Sequence, residues 1–151
     1  MTFLRMKKLL LLKYSKNKSQ HMVDSLAKYN IVPRKCKIIS FPYNSFSENL
    51  YRHVIRGLFD GDGCISGRAC SFAGNGILIP QVQALLHETL SINLTKLQEK
   101  KNGVWSFSFS SKSDVTEFYH YLYDNATIYL SRKKDRFEKL PYIFADCLII
   151  N

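Results

Sequence analysis

Cysteine and histidine are scarce in this sequence and are nowhere clustered. Its four cysteines contain no CxxC pair, and its four histidines are scattered. Zinc centres take closely spaced Cys and His ligands, so a zinc hydrolase is excluded. We expect the cysteines to be small, reduced residues in or near the core of an intracellular protein. They are Cys36, Cys64, Cys70 and Cys147.

Long hydrophobic runs are also missing. The four leucines at positions 9–12 are too few for the apolar part of a signal peptide or for a membrane span. We expect this segment to be a buried strand and the protein to have no membrane partner. We also expect it to act inside the cell, in the cytoplasm of a bacterium or phage host or in an organelle, and not to be secreted.

Acidic residues are few relative to basic ones. The chain has 12 Asp and Glu against 22 Lys and Arg, which gives a formal charge of +10. A basic surface suits a polyanion, because each phosphate that it neutralises releases a condensed counterion. Apolar residues make up 46% of the 151 positions, enough for the core of one compact domain. The charge favours nucleic acid as the partner, although a merely basic protein would also explain it.

Apolar spacing and turn residues predict alternating helices and hairpins from residue 47 onward. The order helix, strand, strand, helix, strand, strand, helix predicts an α+β fold with helices on one face of an antiparallel sheet. The expected elements are a helix at 47–63, a hairpin at 64–66 and 69–73 turning at Gly67 and Arg68, a helix with Pro80 in its first turn, a hairpin at 94–100 and 104–110, and a helix opened by a capping box of Asp114 and Glu117.

The second hairpin allows two turns, which place different residues on its faces. A two-residue turn at Asn102 and Gly103 would mix apolar and polar residues on one face. A three-residue loop, with Gly103 in the left-handed region, pairs Leu97 with Phe107 and Thr95 with Phe109. We therefore expect the longer loop. The opposite, polar face would carry Lys96, Gln98, Lys100, Ser106 and Ser108.

An internal similarity links the two ends of the chain. The segment Tyr-Ser-Lys at 14–16 precedes a helical stretch and then an Arg-Lys pair at 34–35. The segment Ser-Ser-Lys at 110–112 likewise precedes a helical stretch and then an Arg-Lys pair at 132–133. Chance likeness between amphipathic segments is one explanation. The other is that 1–46 is the partial tail of a preceding half, 47–140 a domain and 141–151 a tail.

The sharpest local signal is the sequence IRGLFDGDG at 55–63. Gly57 and Gly61 lie four apart on one helical face, and an interior helical glycine costs about 1 kcal/mol relative to alanine. Their presence favours the close approach of another backbone to this face, beside Val54 and Leu58. A glycine-tolerant helix end is the alternative.

Asp62 lies at the carboxyl end of the same helix, where the macrodipole disfavours an anion by roughly 0.3–1 kcal/mol. Docking two such helices would bring two carboxylates together, and a divalent cation reverses both costs. Mg²⁺ takes oxygen ligands, here the Asp62 carboxylate and the Gly61 carbonyl. A calcium loop starting at Asp60 is excluded, because its sixth and twelfth positions are Ile65 and Ser71. An ordinary Asp-Gly turn is the other explanation.

These residues resemble the LAGLIDADG motif of homing endonucleases in its Gly-Asp-Gly variant. Segments at 33–35, 41–42, 51–66 and 121–133 are similar to the phage and organelle branch of that family, so the likeness extends to about residue 140. The resemblance implies an αββαββα half-domain whose antiparallel sheet forms a saddle in the DNA major groove. It also implies that two motif helices meet at a pseudo-twofold axis, and that both DNA strands are hydrolysed with Mg²⁺ or Mn²⁺.

The same resemblance implies roles for single residues. Asp62 and the Gly61 carbonyl would hold the metal. Lys133 would orient the attacking water or stabilise phosphorane charge, with Lys35 as its counterpart from the preceding half, although a phosphate contact or a solvated charge also explains Lys133. The helix interface would consist of Val54, Gly57, Leu58 and Gly61. The DNA contacts would come from Lys35, Arg68, Lys96, Gln98, Lys100, Lys101 and Arg132, with a plain surface role open for each.

Two features depart from the family. Only one acidic motif helix is present, so the chain would act as a homodimer or with a complementary half-chain, or would have lost activity. The first hairpin is shorter than the family's DNA-reading ribbon. A non-cutting nucleic-acid binder, such as an intron-splicing maturase, is the alternative function, although a pure binder gains nothing from Asp62 beside phosphate. An ordinary basic interaction module would leave the glycine stripe unexplained.

Overall fold

The structure, a computed structural model, describes residues 20–28 and 38–144. Helices lie on one face of a four-stranded antiparallel sheet, so the α+β class predicted from the sequence is confirmed. Within these two stretches, no helix has the length and apolar content needed to cross a bilayer. Residues 20–27 are helical. The other elements are α1 (Tyr51–Asp62), β1 (Cys64–Ser66), β2 (Ala69–Gly74), α2 (Leu78–Leu90), β3 (Gln98–Lys100), β4 (Val104–Phe109), α3 (Lys112–Tyr123) and α4 (Ser131–Glu138).

The sheet has the strand order β1-β2-β4-β3, so the two hairpins join through their inner strands. The first hairpin turns at Gly67, whose φ of 56° is left-handed. The second pairs Lys100 with Val104 across a three-residue loop, and Gly103 has a φ of 71°. Both turns agree with the sequence prediction, because glycine adopts positive φ without a steric cost.

Strand β3 is shorter than predicted, and this corrects the expected pairing. Residues 91–97 are not strand, so the pairs of Leu97 with Phe107 and Thr95 with Phe109 are not formed. The Thr95 carbonyl instead accepts a hydrogen bond from Gln83 Nε2 on α2 at 2.8 Å. The Gln83 side chain therefore supplies the hydrogen bond that the alternating sequence pattern had predicted from a neighbouring strand.

Two helix starts differ from their sequence prediction. Helix α1 begins at Tyr51, after a short 3₁₀ helix at Glu48–Leu50, and not at residue 47. The cap of α3 is Ser111, whose side chain accepts from the Asp114 amide at 3.1 Å, so the expected capping box of Asp114 and Glu117 is wrong. Asp114 is buried in the first turn instead. Asn75 holds the start of α2, because its Oδ1 accepts from the Leu78 amide at 2.7 Å. Pro80 lies in the first turn of α2, as expected.

The core lies between the sheet and the helices and is built mainly from phenylalanines. Phe59 of α1 is fully buried and its ring meets those of Phe118 at 5.1 Å and Phe72 at 5.4 Å between centroids. Phe41 and Ile143 are also buried in this core, so the packed unit reaches beyond both ends of the 47–140 segment. Helix α1 is therefore held on its inner face by aromatic packing, which fixes the direction of its outer face.

Two of the cysteines lie in the described part of the chain. Cys70 is buried in the core, as predicted, whereas Cys64 is exposed. Cys64 lies on β1 opposite Ser71, on the face of the sheet away from the helices. The leucines at 9–12, the Arg-Lys pair at 34–35 and the other two cysteines lie outside the described residues.

Candidate metal and nucleic-acid site

Helix α1 presents its glycines on an open face. Gly57 and Gly61 are both exposed, and a Cβ placed on either would meet no atom within 4 Å outside the helix itself. Val54 and Leu58 flank them and are half-buried. The segment predicted to dock against another helix is therefore helical and uncovered within the described structure.

Gly63, which ends α1, is required for a different reason. A Cβ there would collide with the Phe59 ring and would lie 2.7 Å from the Phe59 carbonyl oxygen. Its amide donates to that same oxygen at 2.9 Å, and its φ is −68°. Lack of a side chain, and not a left-handed backbone, lets the chain leave the helix directly into β1.

The two acids of the motif have opposite environments. Asp60 is half-buried and both of its oxygens are occupied: Oδ1 accepts from the Tyr123 hydroxyl and Oδ2 from the Leu130 amide, each at 2.9 Å. Asp62 is exposed and makes no hydrogen bond or ion pair with the rest of the described chain. Of these two acids, Asp62 is therefore the one whose carboxylate has no partner within the described chain.

Lys133 lies at the same end of α1 although it belongs to α4. Its side chain is buried, and its ammonium donates to the carbonyl oxygens of Phe59 and of Gly63, the latter at 2.5 Å. Burial lowers the pKa of Lys133, while nearby Asp60 raises it and nearby Arg132 lowers it further. A helix carboxyl end attracts a cation, so this lysine caps α1 next to Asp62.

Three other cations hold the elements that carry the site. Arg56 of α1 is buried and donates to the Leu122 carbonyl at 2.7 Å, and Arg52 donates to the Asp124 carbonyl at 2.5 Å. Both cap the carboxyl end of α3. Arg136 of α4 donates to the Ile65 carbonyl of β1 at 2.9 Å. The sequence had not assigned these roles, because a basic side chain in a helix is equally typical of a solvated charge.

Tyr123 and Asp60 are site residues that the sequence prediction missed. Burial and the hydrogen bond to Asp60 raise the pKa of Tyr123, so its hydroxyl stays protonated and donates. No sequence signal marked the pair, because its members are 63 positions apart.

Two depressions flank the open face of α1. One, of about 200 Å³, is largely apolar and has Leu58 and Asp62 on its α1 side. The other, of about 430 Å³, has Gly57 and Asp60 on its α1 side and the exposed Ile128 on its rim. The glycine face therefore borders two recesses, and Gly57 itself lines the second.

The sheet face away from the helices is small and polar, and no other described element covers it. A shallow depression of about 160 Å³ runs across it. Its polar lining comes from three strands: Ser71, Gln98, Lys100, Ser106 and Ser108. Cross-strand pairing of Ser71 with Ser108 and of Gln98 with Ser106 brings these groups together.

Some of the residues expected to contact DNA lie on this sheet face or at its hairpin turns, and the others lie elsewhere. Gln98 and Lys100 lie on the open sheet face, and Lys101 and Arg68 are exposed at the two hairpin turns. Lys96 is exposed, but on the irregular segment before β3 and not on the predicted strand. Arg132 is exposed at the start of α4, and Lys35 lies outside the described residues.

The donor set of one copy is small. Among the described residues, no group of three or more His, Cys, Asp or Glu side chains could hold a metal ion. The Asp62 carboxylate and the Gly61 carbonyl, which belongs to the last turn and has no donor within the helix, are hard oxygen ligands of the kind that Mg²⁺ takes. Two oxygen donors fit such an ion as part of a ligand set, and the remaining ligands would have to come from outside these two residues.

No family model matches this chain, and neither a curated protein nor a solved structure matches it.

Replacing Lys133 with methionine tests its capping role. We expect Lys133→Met to lower the free energy of unfolding by about 1–3 kcal/mol, because it leaves the Gly63 carbonyl without its donor. The neighbouring Lys134→Met should cost at most about 1 kcal/mol, because Lys134 only makes a surface pair with Glu138 at 3.6 Å and a contact with the Tyr129 ring. Urea unfolding of both variants measures the difference, and equal values would contradict the cap.

Proposed function

We propose that this chain is one half of a site-specific, metal-dependent endonuclease of double-stranded DNA, a homing endonuclease of the LAGLIDADG family. The carboxyl end of α1 carries the proposal: an exposed carboxylate, which has no partner among the described residues, lies at a negative helix end beside an open stripe of glycines. A solitary anion there is unfavourable by itself. It becomes favourable when a divalent cation binds.

A second copy of α1, or a complementary half-chain, supplies the other carboxylate in this proposal. Gly57 and Gly61 let two helix backbones approach closely, and Val54 and Leu58 pack at the margins of the contact. Such packing brings two carboxyl ends side by side, each with its own Asp62. The open face and its two flanking recesses support this arrangement.

Asp62 and the Gly61 carbonyl would hold Mg²⁺ or Mn²⁺ in each half. When bound, the ions supply an activated water and neutralise charge on the scissile phosphate and on its leaving oxygen. Lys133 uses two of its three N–H groups on α1 carbonyls, so one remains for a phosphate oxygen or a water. The chain's own part is to place these groups at one helix end.

The open sheet face would contact the DNA. Lys100 and Lys101 position the duplex through its phosphates, while Gln98, Ser71 and Ser108 reach base edges. Within residues 38–144 the helices cover the opposite side of the sheet, so none of these elements would block the duplex.

Salt dependence tests the DNA face. The double variant Lys100→Glu, Lys101→Glu is expected to bind DNA more weakly and to reduce the slope of log affinity against log salt by about 0.9 for each phosphate that is no longer neutralised. Lys139→Glu, an exposed lysine that follows α4 in the helical layer, is the control and should change both quantities less. Fluorescence anisotropy over a range of KCl concentrations measures them. Equal slopes for the two variants would contradict a DNA interface at β3.

Metal-dependent cleavage tests the proposal as a whole. The protein is incubated with a plasmid library of random inserts, with Mg²⁺, with Mn²⁺ or with EDTA, and new DNA ends are sequenced. We expect paired ends at one recurrent sequence in the metal-containing reactions only. DNA binding without new ends under any of these conditions would instead favour a non-cutting binder or maturase on the same fold.

A further inference from the structure

The last turn of α1 and the first turn of α4 cap each other. Asp60 of α1 accepts a hydrogen bond at 2.9 Å from the amide of Leu130, the residue that immediately precedes α4. Lys133 of α4 reaches back to the carbonyl oxygens of Phe59 and Gly63 at the end of α1. A helix amino end favours an anion and a carboxyl end favours a cation, so both contacts have the stabilising sign.

The sequence of α4 makes the anion from α1 necessary. The first turn of α4 carries Arg132, Lys133 and Lys134 and no acid, and no side chain of its own caps it. Three cations at a positive helix end oppose its formation. Asp60 provides the missing negative charge from a different helix.

A third element fixes Asp60 itself. The Tyr123 hydroxyl at the end of α3 donates to Asp60 Oδ1 at 2.9 Å, and the Tyr123 ring is buried. The carboxylate is therefore clamped between α3 and the start of α4. Each Asp60 oxygen thus accepts one hydrogen bond from a structural partner, which orients the carboxylate toward α3 and the start of α4.

We propose that Asp60 is the positioning residue of this site: it sets the start of α4 so that the Lys133 ammonium stands over the end of α1 beside Asp62. The effect of this role on cleavage rests on the proposed nuclease function, whereas the placement of α4 and Lys133 is testable without DNA. Lys133 contacts the residues on both sides of the segment 60–62, so a displacement of α4 moves the ammonium away from the Asp62 carboxylate.

The experiment compares three variants with two matched controls in the full chain. Asp60→Ala removes both hydrogen bonds, Asp60→Asn keeps an acceptor oxygen without the charge, and Tyr123→Phe removes one hydrogen bond. Asp135→Asn removes an exposed acid from α4. Tyr119→Phe removes a hydroxyl that donates to Glu138 at 3.0 Å from the same helix as Tyr123.

The first measurement is hydrogen exchange by NMR at the Leu130 amide and at the Lys133 ammonium, which Lys133→Met identifies. We expect Asp60→Ala to accelerate both exchange rates by at least tenfold and Tyr123→Phe to accelerate them less. Asp60→Asn should restore only part of the protection, because it lacks the charge, and the two controls should leave both rates unchanged. Unchanged protection in folded Asp60→Ala or Tyr123→Phe would overturn the positioning role, whatever the protein does to DNA.

The second measurement is single-turnover cleavage beside DNA affinity. Loss of a residue that orients a ligand typically costs about 10–100-fold, so we expect Asp60→Ala to cleave that much more slowly with an unchanged Kd, and Asp60→Asn to recover only part of the rate. A rate that falls only in proportion to the unfolded fraction would overturn the proposal. If protection changes as expected while the wild-type protein cuts no DNA, the cap stands and the nuclease proposal fails.

Discussion

Asp62→Asn is expected to reduce metal-dependent DNA cleavage by at least about 10³-fold, because the charge stabilisation supplied by a bound metal amounts to several kcal/mol. The amide of asparagine lacks the negative charge that holds the ion. DNA affinity measured in EDTA should be unchanged or slightly higher, since one anion beside the phosphates has been removed. Single-turnover cleavage and anisotropy on the same DNA fragment separate the two effects.

Because Asp62 is exposed, we expect this substitution to leave the stability of the fold nearly unchanged. Because its carboxylate has no hydrogen bond or ion pair within the described chain, the free energy of unfolding should change by less than about 0.5 kcal/mol. Asp135→Asn, another exposed acid, should leave cleavage, binding and stability as they are. An Asp62→Asn variant that cleaves at the wild-type rate would remove Asp62 from the metal site.

Gly57→Ala is expected to have opposite effects on folding and on association. In the isolated fold the added methyl group meets nothing and alanine is the better helix former, so the monomer should gain roughly 0.5–1 kcal/mol. In a dimer the same methyl group would separate two docked backbones at a cost of about 1–3 kcal/mol, which weakens association by roughly tenfold or more. A glycine without a docking role would show the gain alone.

Urea unfolding at low protein concentration measures the stability of the monomer, and sedimentation equilibrium measures its association. Gly57→Leu should abolish association and leave a folded monomer that binds DNA more weakly. Ala84→Leu places the same side chain on the exposed side of α2 and should leave the association constant unchanged. Equal effects of the two leucine variants on association would show that α1 does not form the interface.

The secondary structure that could be predicted depends mostly on patterns within short stretches of sequence. The three-residue loop before β4 follows from the apolar spacing of that strand and from a glycine at positive φ, and both act over a few residues. The pairing of residues 94–97 could not be predicted in the same way. The strand pattern of these residues does not show that the Gln83 side chain, on α2, donates a hydrogen bond to the Thr95 carbonyl.

The residues of the candidate site also divide into those marked by local sequence and those placed by long-range contacts. Glycine spacing and a terminal acid mark the open stripe and Asp62 within one helix, and the structure places both on the exposed face of α1. The position of Lys133 over that helix end was expected from family resemblance and not from spacing. Its contacts join residues that are 74 positions apart in one case and 70 in the other.

By itself the sequence determined the helix–hairpin order, the basic charge and the glycine face, because these depend on neighbours along the chain. It favoured Asp62 as the metal ligand, because that acid ends the helix, but it contained nothing to show what either aspartate contacts. Tertiary structure gave the two acids different environments: a tyrosine 63 positions later and an amide 70 positions later donate to Asp60, whereas Asp62 has no such partner in the described chain. Partners for a carboxylate are chosen by packing between elements, and only the folded chain brings those elements together.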